Sequence, residues 1–147
     1  MLSLRQRLAR EEGFTLIELL VVLIIIGILL AIAIPSYLGF QTKAQQTAAM
    51  SDVRSAVPDA EAYYSDHSNY TGMTPGTATT GLKGVYDSGL IVSVSGSPGI
   101  VSAKPSASNS QLFCISAVDS GHWAHIAGPG GVVQNDTAAA SDPCASF

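Results

Sequence analysis

Apolar and polar side chains divide the chain into a nearly continuous apolar block and a longer mixed remainder. The block runs from Leu16 to Leu38 and contains one ionisable side chain, Glu18. At about 1.5 Å of rise per residue, a helix over Phe14 to Leu38 would be roughly 37 Å long, enough to cross the ~30 Å hydrocarbon core of a bilayer. The pattern therefore predicts a membrane-inserted helix.

Three other interpretations of this block stay open. Ala31 and Ala33 offer the cleavage site of an ordinary secretory signal peptide, which would leave Ile34 as the new N-terminus. A plain single-pass anchor fits the length but gives no reason for Glu18, since a carboxylate at the centre of a membrane helix costs roughly 2.5 to 3.5 kcal/mol. A buried amphipathic core helix fits least, because the stretch between Leu19 and Ile34 has no polar face.

Beyond Pro35 the pattern becomes periodic, and it predicts that the helix continues to about Asp66 with one stripe against a globular domain. Pro35 lacks a backbone donor and predicts a kink or a local break in the helix. Pro58 predicts either a bend near the helix end or a separate last segment after Val57. The apolar positions at helical spacing are Ala49, Val53, Ala56, Val57, Ala60, Tyr63 and Tyr64.

The remaining sequence predicts a loop followed by a small sheet. Residues 67–88 are rich in Gly, Thr, Ser and Pro, which is typical of a connecting loop. Short strand candidates then alternate with turn sequences, and strands joined by such short connections are antiparallel. The fold class is therefore α+β, a long N-terminal helix packed on an antiparallel meander. The candidate strands are Leu90 to Val94, Ile100 to Ala103, Gln111 to Val118, His122 to Ala127 and Val132 to Gln134.

Charge is distributed unevenly along the 147 residues. Arg5, Arg7 and Arg10 precede the apolar block, so the N-terminus is expected on the cytoplasmic side and the C-terminal domain outside. From Phe14 onward there are four basic side chains against nine acidic ones. This acidic balance argues against binding to a nucleic-acid backbone, which needs a clustered basic surface.

Cys114 and Cys144 are the only cysteines and lie in the part expected outside the membrane. An oxidising compartment favours a disulfide between them, which by the loop-entropy estimate stabilises the fold by roughly 3 to 4 kcal/mol. Two reduced thiols are the alternative.

No constellation in the sequence indicates an enzyme, a cofactor or a metal site. His122 and His125 are three apart on a predicted strand and point to opposite faces, so joint metal binding is not expected. Asn135, Asp136 and Asp142 carry oxygens that suit calcium, but their spacing fits no defined calcium loop, and solvated turn residues are the simpler interpretation.

The sequence GFTLIELLVV at positions 13–22 resembles the processing site of type IV pilins and of type II secretion pseudopilins. The resemblance implies that a prepilin peptidase removes the basic leader 1–13 by cutting between Gly13 and Phe14, and that the new amine of Phe14 is methylated. It also implies a long N-terminal helix with an antiparallel sheet. At the motif level it continues through Gly27 and Pro35 into the second half of the helix.

Elementary electrostatics predicts a role for Glu18 in assembly. The amine of Phe14 in a staggered neighbouring copy would lie beside this carboxylate, and opposite charges attract strongly where the dielectric constant is low. Leaving a buried charge without its partner typically costs about 3 to 5 kcal/mol, so the pair would fix the register of assembly. The alternative is a glutamate near the helix end that reaches the membrane surface without a partner.

These interpretations give four segments: a leader (1–13), a transmembrane and assembly half of the helix (14–38), an amphipathic half (39–66) and a β-sheet domain (67–147). The expected function is that of a structural subunit in a type IV pilus-like surface filament, with prepilin peptidase, other copies of the chain and a membrane assembly machinery as partners. A pseudopilin of a type II secretion system is the alternative. A membrane-anchored binding module that never polymerises is the second alternative.

Overall fold

The computed structural model describes residues 13–77, 79–93, 98–136 and 141–147, and the predicted leader therefore lies almost entirely outside the described residues. Within these ranges the chain forms two helices and four strands. It divides into two compact units, residues 1–39 and 40–147. The α+β class predicted from the sequence is confirmed.

Helix α1 runs without interruption over Leu16–His67 and so ends within one residue of the predicted position. The helical backbone continues through both internal prolines. A break at Pro35 and a separate last segment after Val57 are therefore wrong, because the helical backbone continues on both sides of each proline although each removes one donor. A bend at Pro35 or at Pro58 stays a prediction.

In the first unit, α1 has exposed apolar side chains along the whole length of the helix. The exposed fraction of the large ones ranges from 45% at Ile26 to 82% at Leu16. By length and composition this part of α1 is able to cross a membrane. Contiguous apolar surface of this extent is unfavourable in water and is typical of segments that contact lipid or another protein.

In the second unit, α1 contributes small side chains to a shared core with the sheet. Ala49, Val53, Ala56 and Ala60 are completely buried, and their small size permits a close approach of helix and sheet. Three further positions of the predicted stripe lie at its margin, where Val57 and Tyr63 are half-buried and Tyr64 is exposed. The sheet and the connecting segments contribute Tyr70, Met73, Leu82, Leu90, Ile100, Phe113, Ile115 and Ile126.

The sheet is an antiparallel meander in the order β1-β2-β3-β4. Strands β2 and β3 pair over seven residues and are joined by Ser120 and Gly121, both with positive φ, as a tight two-residue hairpin requires. Strand β2 is buried at six consecutive positions, so it is the centre of the domain. The strands are β1 (Gly99–Pro105), β2 (Phe113–Asp119), β3 (His122–Gly128) and β4 (Gln134–Asp136).

Two predictions between α1 and β1 are corrected. The expected loop contains a short helix, α2 (Gly81–Val85), which forms because Leu82 inserts completely into the core. The expected strand from Leu90 is absent as far as the described residues reach, and only Val92 pairs, in a parallel bridge with Ile100. Leu90 is buried as a single anchor rather than as part of an alternating strand, and Val94 lies outside the described residues.

The last predicted strand is displaced along the chain. It begins at Gln134 rather than at Val132, whose side chain is 79% exposed. Strand β4 therefore starts only where the chain reaches the edge of β3.

The C-terminal segment is fastened to the sheet by a disulfide between Cys114 of β2 and Cys144, whose Cα atoms are 5.7 Å apart. Lys104 of β1 donates from Nζ to the carbonyl of Ala145 at 2.8 Å. The N–H of Ala107 donates to the carbonyl of Phe147 at 2.9 Å. These contacts hold residues 141–147 against the sheet.

Candidate assembly site at the start of the long helix

The start of α1 is closed by a reciprocal pair of hydrogen bonds between Thr15 and Glu18. Thr15 precedes the first helical residue, and its hydroxyl oxygen accepts from the N–H of Glu18 at 3.3 Å. The N–H and the hydroxyl of Thr15 donate to Oε2 of Glu18 at 2.8 Å and 2.7 Å. This is a capping box, in which two backbone donors without helical partners are satisfied by two side chains.

This contact adds a role for Glu18 that the sequence interpretation missed. The carboxylate is hydrogen-bonded to Thr15 of its own chain, and its pairing with the amine of another copy stays a prediction. The local signal was present, since Thr-x-x-Glu directly before an apolar run is the sequence signature of a capping box. The box fixes where the helix begins and turns the carboxylate back toward Phe14.

The carboxylate borders an apolar groove on the surface of the helix. The groove has a volume of about 400 Å³ and is lined by Phe14, Ile17, Glu18, Val21 and Val22. Both hydrogen bonds that Thr15 donates go to Oε2, so the capping box does not use Oε1. One oxygen of Glu18 is thus available beside an apolar surface.

Gly13 and Phe14 lie in the non-helical chain just before α1. Both residues are exposed, and a Cβ placed on Gly13 would meet no heavy atom within 4 Å. A protease requires an accessible chain that departs from helical conformation, and glycine permits close approach to its backbone. The peptide bond after Gly13 has these properties.

Each carboxylate once considered for calcium has other partners. Asp136 pairs with Nδ1 of His125 across β3 and β4, a contact the sequence did not predict. Asp142 accepts from the hydroxyl of Ser102 at 2.6 Å and from that of Ser116 at 2.5 Å. Among the described residues no group of three or more His, Cys, Asp or Glu side chains is arranged to hold a metal ion.

Two carboxylates on α1 sit in unfavourable electrostatic surroundings. Burial raises the pKa of Asp52, and the nearby charge of Asp119 raises it further. Burial also raises the pKa of Asp59, with a second contribution from Asp87. One oxygen of Asp59 is buried without a hydrogen bond inside the described ranges.

Comparison with known families bears on the segment around the capping box. The family described as the prokaryotic N-terminal methylation motif matches residues 8–34, which include Gly13, Phe14 and Glu18. No solved structure gives a significant match to the chain.

Three relatives illustrate the range of similar proteins. Fimbrial protein EcpC of Eikenella corrodens is 36% identical over 95 residues, which cover 63% of this chain and 61% of the relative. The type IV major pilin protein PilA of Myxococcus xanthus is 40% identical over 62 residues, covering 42% of this chain and 28% of the relative. Type II secretion system core protein G of Dickeya chrysanthemi is 36% identical over 61 residues, covering 42% of this chain and 40% of the relative. The chain thus spans less than two thirds of each relative.

Proposed function

We propose that this chain, whose N-terminal region belongs to the type IV pilin and pseudopilin family, is a structural subunit of a type IV pilus-like filament. One observation carries the proposal: a helix with exposed apolar side chains is capped at its start by Glu18, within a segment that matches a processing motif. Such a helix is suited first to a membrane and then to packing against copies of itself. The chain has no enzymatic activity of its own under this proposal.

Processing precedes assembly. The precursor lies in the cytoplasmic membrane with its N-terminus inside, and a prepilin peptidase cuts between Gly13 and Phe14. The new amine of Phe14 is protonated and is then methylated, which keeps the positive charge. The C-terminal domain faces the outside, where the disulfide between Cys114 and Cys144 is stable. The mature subunit is then incorporated into an extracellular or periplasmic filament.

Assembly then joins the amine of one copy to Glu18 of the next. The capping box uses Oε2, so an incoming amine binds at Oε1 without opening the helix start. In the water-poor interior of a helix bundle this ion pair replaces an uncompensated charge, and the loss of one partner typically costs about 3 to 5 kcal/mol. The pair therefore sets the register of stacking, and the assembly machinery in the membrane supplies the subunits.

The sharpest test is Glu18→Gln, because glutamine still closes a capping box but carries no charge. We expect filament yield to fall at least about a hundredfold, as a loss of 3 kcal/mol implies, while membrane insertion and cleavage continue. Sheared filaments and the membrane fraction are compared by immunoblot. Asp66→Asn, which removes an exposed charge further along α1, is the matched control and leaves the yield unchanged.

Abundant filaments from Glu18→Gln would contradict the proposal that Glu18 sets the register. They would indicate that the helix assembles through apolar packing alone. A membrane-anchored binding module that never polymerises predicts no filaments from the unsubstituted chain either.

A pseudopilin is the second candidate, favoured by the similarity to type II secretion system core protein G. Both candidates share processing and the Glu18 pair, so the Glu18→Gln test does not separate them. Electron microscopy of cells expressing the native chain does: a pilin gives long surface fibres, whereas a pseudopilin gives only short periplasmic assemblies.

A further inference from the structure

The second unit carries four basic side chains against eight acidic ones. Lys83 and Lys104 each donate from Nζ to a backbone carbonyl at 2.8 Å. Lys43 and Arg54 of α1 are instead exposed, and neither forms an ion pair among the residues that the structure describes. Two cations of an acidic unit thus lie on the surface of one helix.

Arg54 has no counter-ion on its own helix. Side chains three or four positions apart are neighbours on a helix surface, and ion pairs within a helix form at these spacings. The residues at these positions around Arg54 are Met50, Ser51, Val57 and Pro58, none of which is acidic. A carboxylate partner for Arg54 therefore has to come from elsewhere.

Carboxylates gather on another side of α1. Burial raises the pKa of Asp52 and of Asp59, and the charges of Asp119 and Asp87, respectively, raise these pKa values further. Asp59 is half-buried, and its Oδ2 is buried without a hydrogen bond within the described ranges. A cation placed beside Asp59 would offset the repulsion from Asp87.

The helix itself keeps Arg54 and Asp59 apart. At 3.6 residues per turn, five residues turn the helix by about 140° from one position to the next. The two side chains therefore lie on opposite sides of the stripe that packs on the sheet. One chain does not bring them together, whereas parallel copies side by side can present the Arg54 side of one helix to the Asp59 side of the next.

We propose that Arg54 of one copy binds Asp59 of a neighbouring copy in the filament, with Asp87 as a second carboxylate at the same contact. The inference rests on the proposed function and names the surfaces through which the second units of assembled copies meet. A contact between two different sides of the same chain repeats from copy to copy, as a filament requires. The planar guanidinium, with five N–H donors, suits a pair of carboxylates.

The spacing along the helix agrees with the assembly contact at Glu18. Glu18 lies four residues beyond Phe14, about 6 Å along a helix axis, and Asp59 lies five residues beyond Arg54, about 7.5 Å. Each offset is counted within one unit, and both have the same direction. A long arginine side chain readily takes up the difference, so neighbouring copies with one axial shift satisfy both pairs.

The test measures assemblies made by the full chain in cells that possess a prepilin peptidase and the assembly machinery. Sheared filaments and the membrane fraction are compared by immunoblot. Arg54→Glu should lower the yield at least about tenfold, because like charges then meet at every contact. Arg54→Lys keeps the charge and should stay within about threefold of the native yield.

Lys43→Glu is the matched control. It reverses an exposed cation of the same helix, but the residue five positions beyond Lys43 is Ala48, so no carboxylate occupies the equivalent place. The yield should therefore be unchanged. Circular dichroism of each purified variant establishes that it is folded.

A charge swap tests the pairing itself. Asp59→Lys alone should lower the yield as Arg54→Glu does. Combining both substitutions in one chain restores opposite charges at every contact and should return the yield to within about threefold of the native value. Arg54→Glu lies on the exposed side of α1 and still decides the matter should Asp59→Lys unfold the domain.

Three results would overturn the proposal: a native yield from Arg54→Glu, a folded double variant as deficient as Arg54→Glu, or an equal loss from Lys43→Glu. The last would show that net charge matters rather than the pair. If the native chain forms no assemblies, this inference and the proposed function both fail. If the native chain assembles, Glu18→Gln does not and Arg54→Glu does, only this inference fails.

Discussion

Glu18 and Thr15 illustrate how much of a site single residues reveal. The resemblance in the sequence drew attention to Glu18, but its hydrogen bonds to Thr15 follow from a local motif that applies to any helix. Contacts between distant residues were not predictable in the same way. The contact between Nδ1 of His125 and Asp136 depends on the register of β3 and β4, which alternation of apolar residues does not determine.

Asp142 organises the C-terminal segment through three acceptor contacts, to the hydroxyls of Ser102 and Ser116 and to the N–H of Cys144. Ser116 is completely buried. Asp142→Ala should therefore lower the free energy of unfolding by about 1 to 3 kcal/mol, since a buried hydroxyl loses its acceptor. Urea denaturation measures the loss. Adding Ser116→Ala to the variant should recover part of it, and an unchanged unfolding midpoint in Asp142→Ala would contradict this role.

Asp52 predicts an unusual dependence of stability on pH. Burial, assisted by Asp119, raises its pKa, so the folded protein holds this proton more strongly than the unfolded chain does. The contribution of Asp52 to stability is therefore complete below the ordinary aspartate pKa of about 3.9 and is lost as the pH rises through the raised pKa.

Asp52→Asn should consequently raise the melting temperature at pH 7 and give no gain below about pH 3.9, where the native carboxyl is already neutral. Thermal denaturation of both proteins across this pH range measures the difference. Asp66→Asn is the control on an exposed aspartate of the same helix. A gain that is constant with pH would show that the amide stabilises the protein for reasons other than charge.

At the scale of elements, the bounds of a helix or strand were predicted well where a periodic or uniform pattern is long, and poorly where only a short apolar run is present. The ends of α1 were predicted to within about two residues because its apolar block and stripe extend over many turns. The hairpin of β2 and β3 followed from its turn sequence. The segment from Leu90 has strand-like composition, but burial of one anchor and the parallel bridge at Val92 decide its conformation.

Pro58 offers a test of whether α1 is continuous. Pro58 lies in the helix and has no N–H that could donate to the carbonyl of Arg54, one turn earlier. Pro58→Ala should therefore raise the free energy of unfolding by up to about 3 kcal/mol. Pro58→Gly is the matched control and should gain about 1 kcal/mol less, because glycine has the lower helix propensity. Equal stability of all three proteins would mean that the helix ends before this position.

At the scale of the whole molecule, the two units have opposite relations to water. The first exposes apolar side chains along the helix, whereas the second has its own core and a disulfide. This division was predictable because the apolar block is so nearly continuous. The effect of Asp87 on Asp59 was not, since it joins a residue of α1 to one beyond α2 that only the tertiary fold brings together.

The mass of the mature N-terminus tests the central claim most directly, because processing creates the amine that Glu18 is proposed to bind. The chain is isolated from the envelope of cells that possess a prepilin peptidase and is analysed by mass spectrometry of its N-terminal peptide. We predict a terminus at Phe14 carrying one additional methyl group. A terminus at Ile34 would indicate ordinary secretion, and a chain that retains residues 1–13 would indicate a simple anchor; either result would contradict the account.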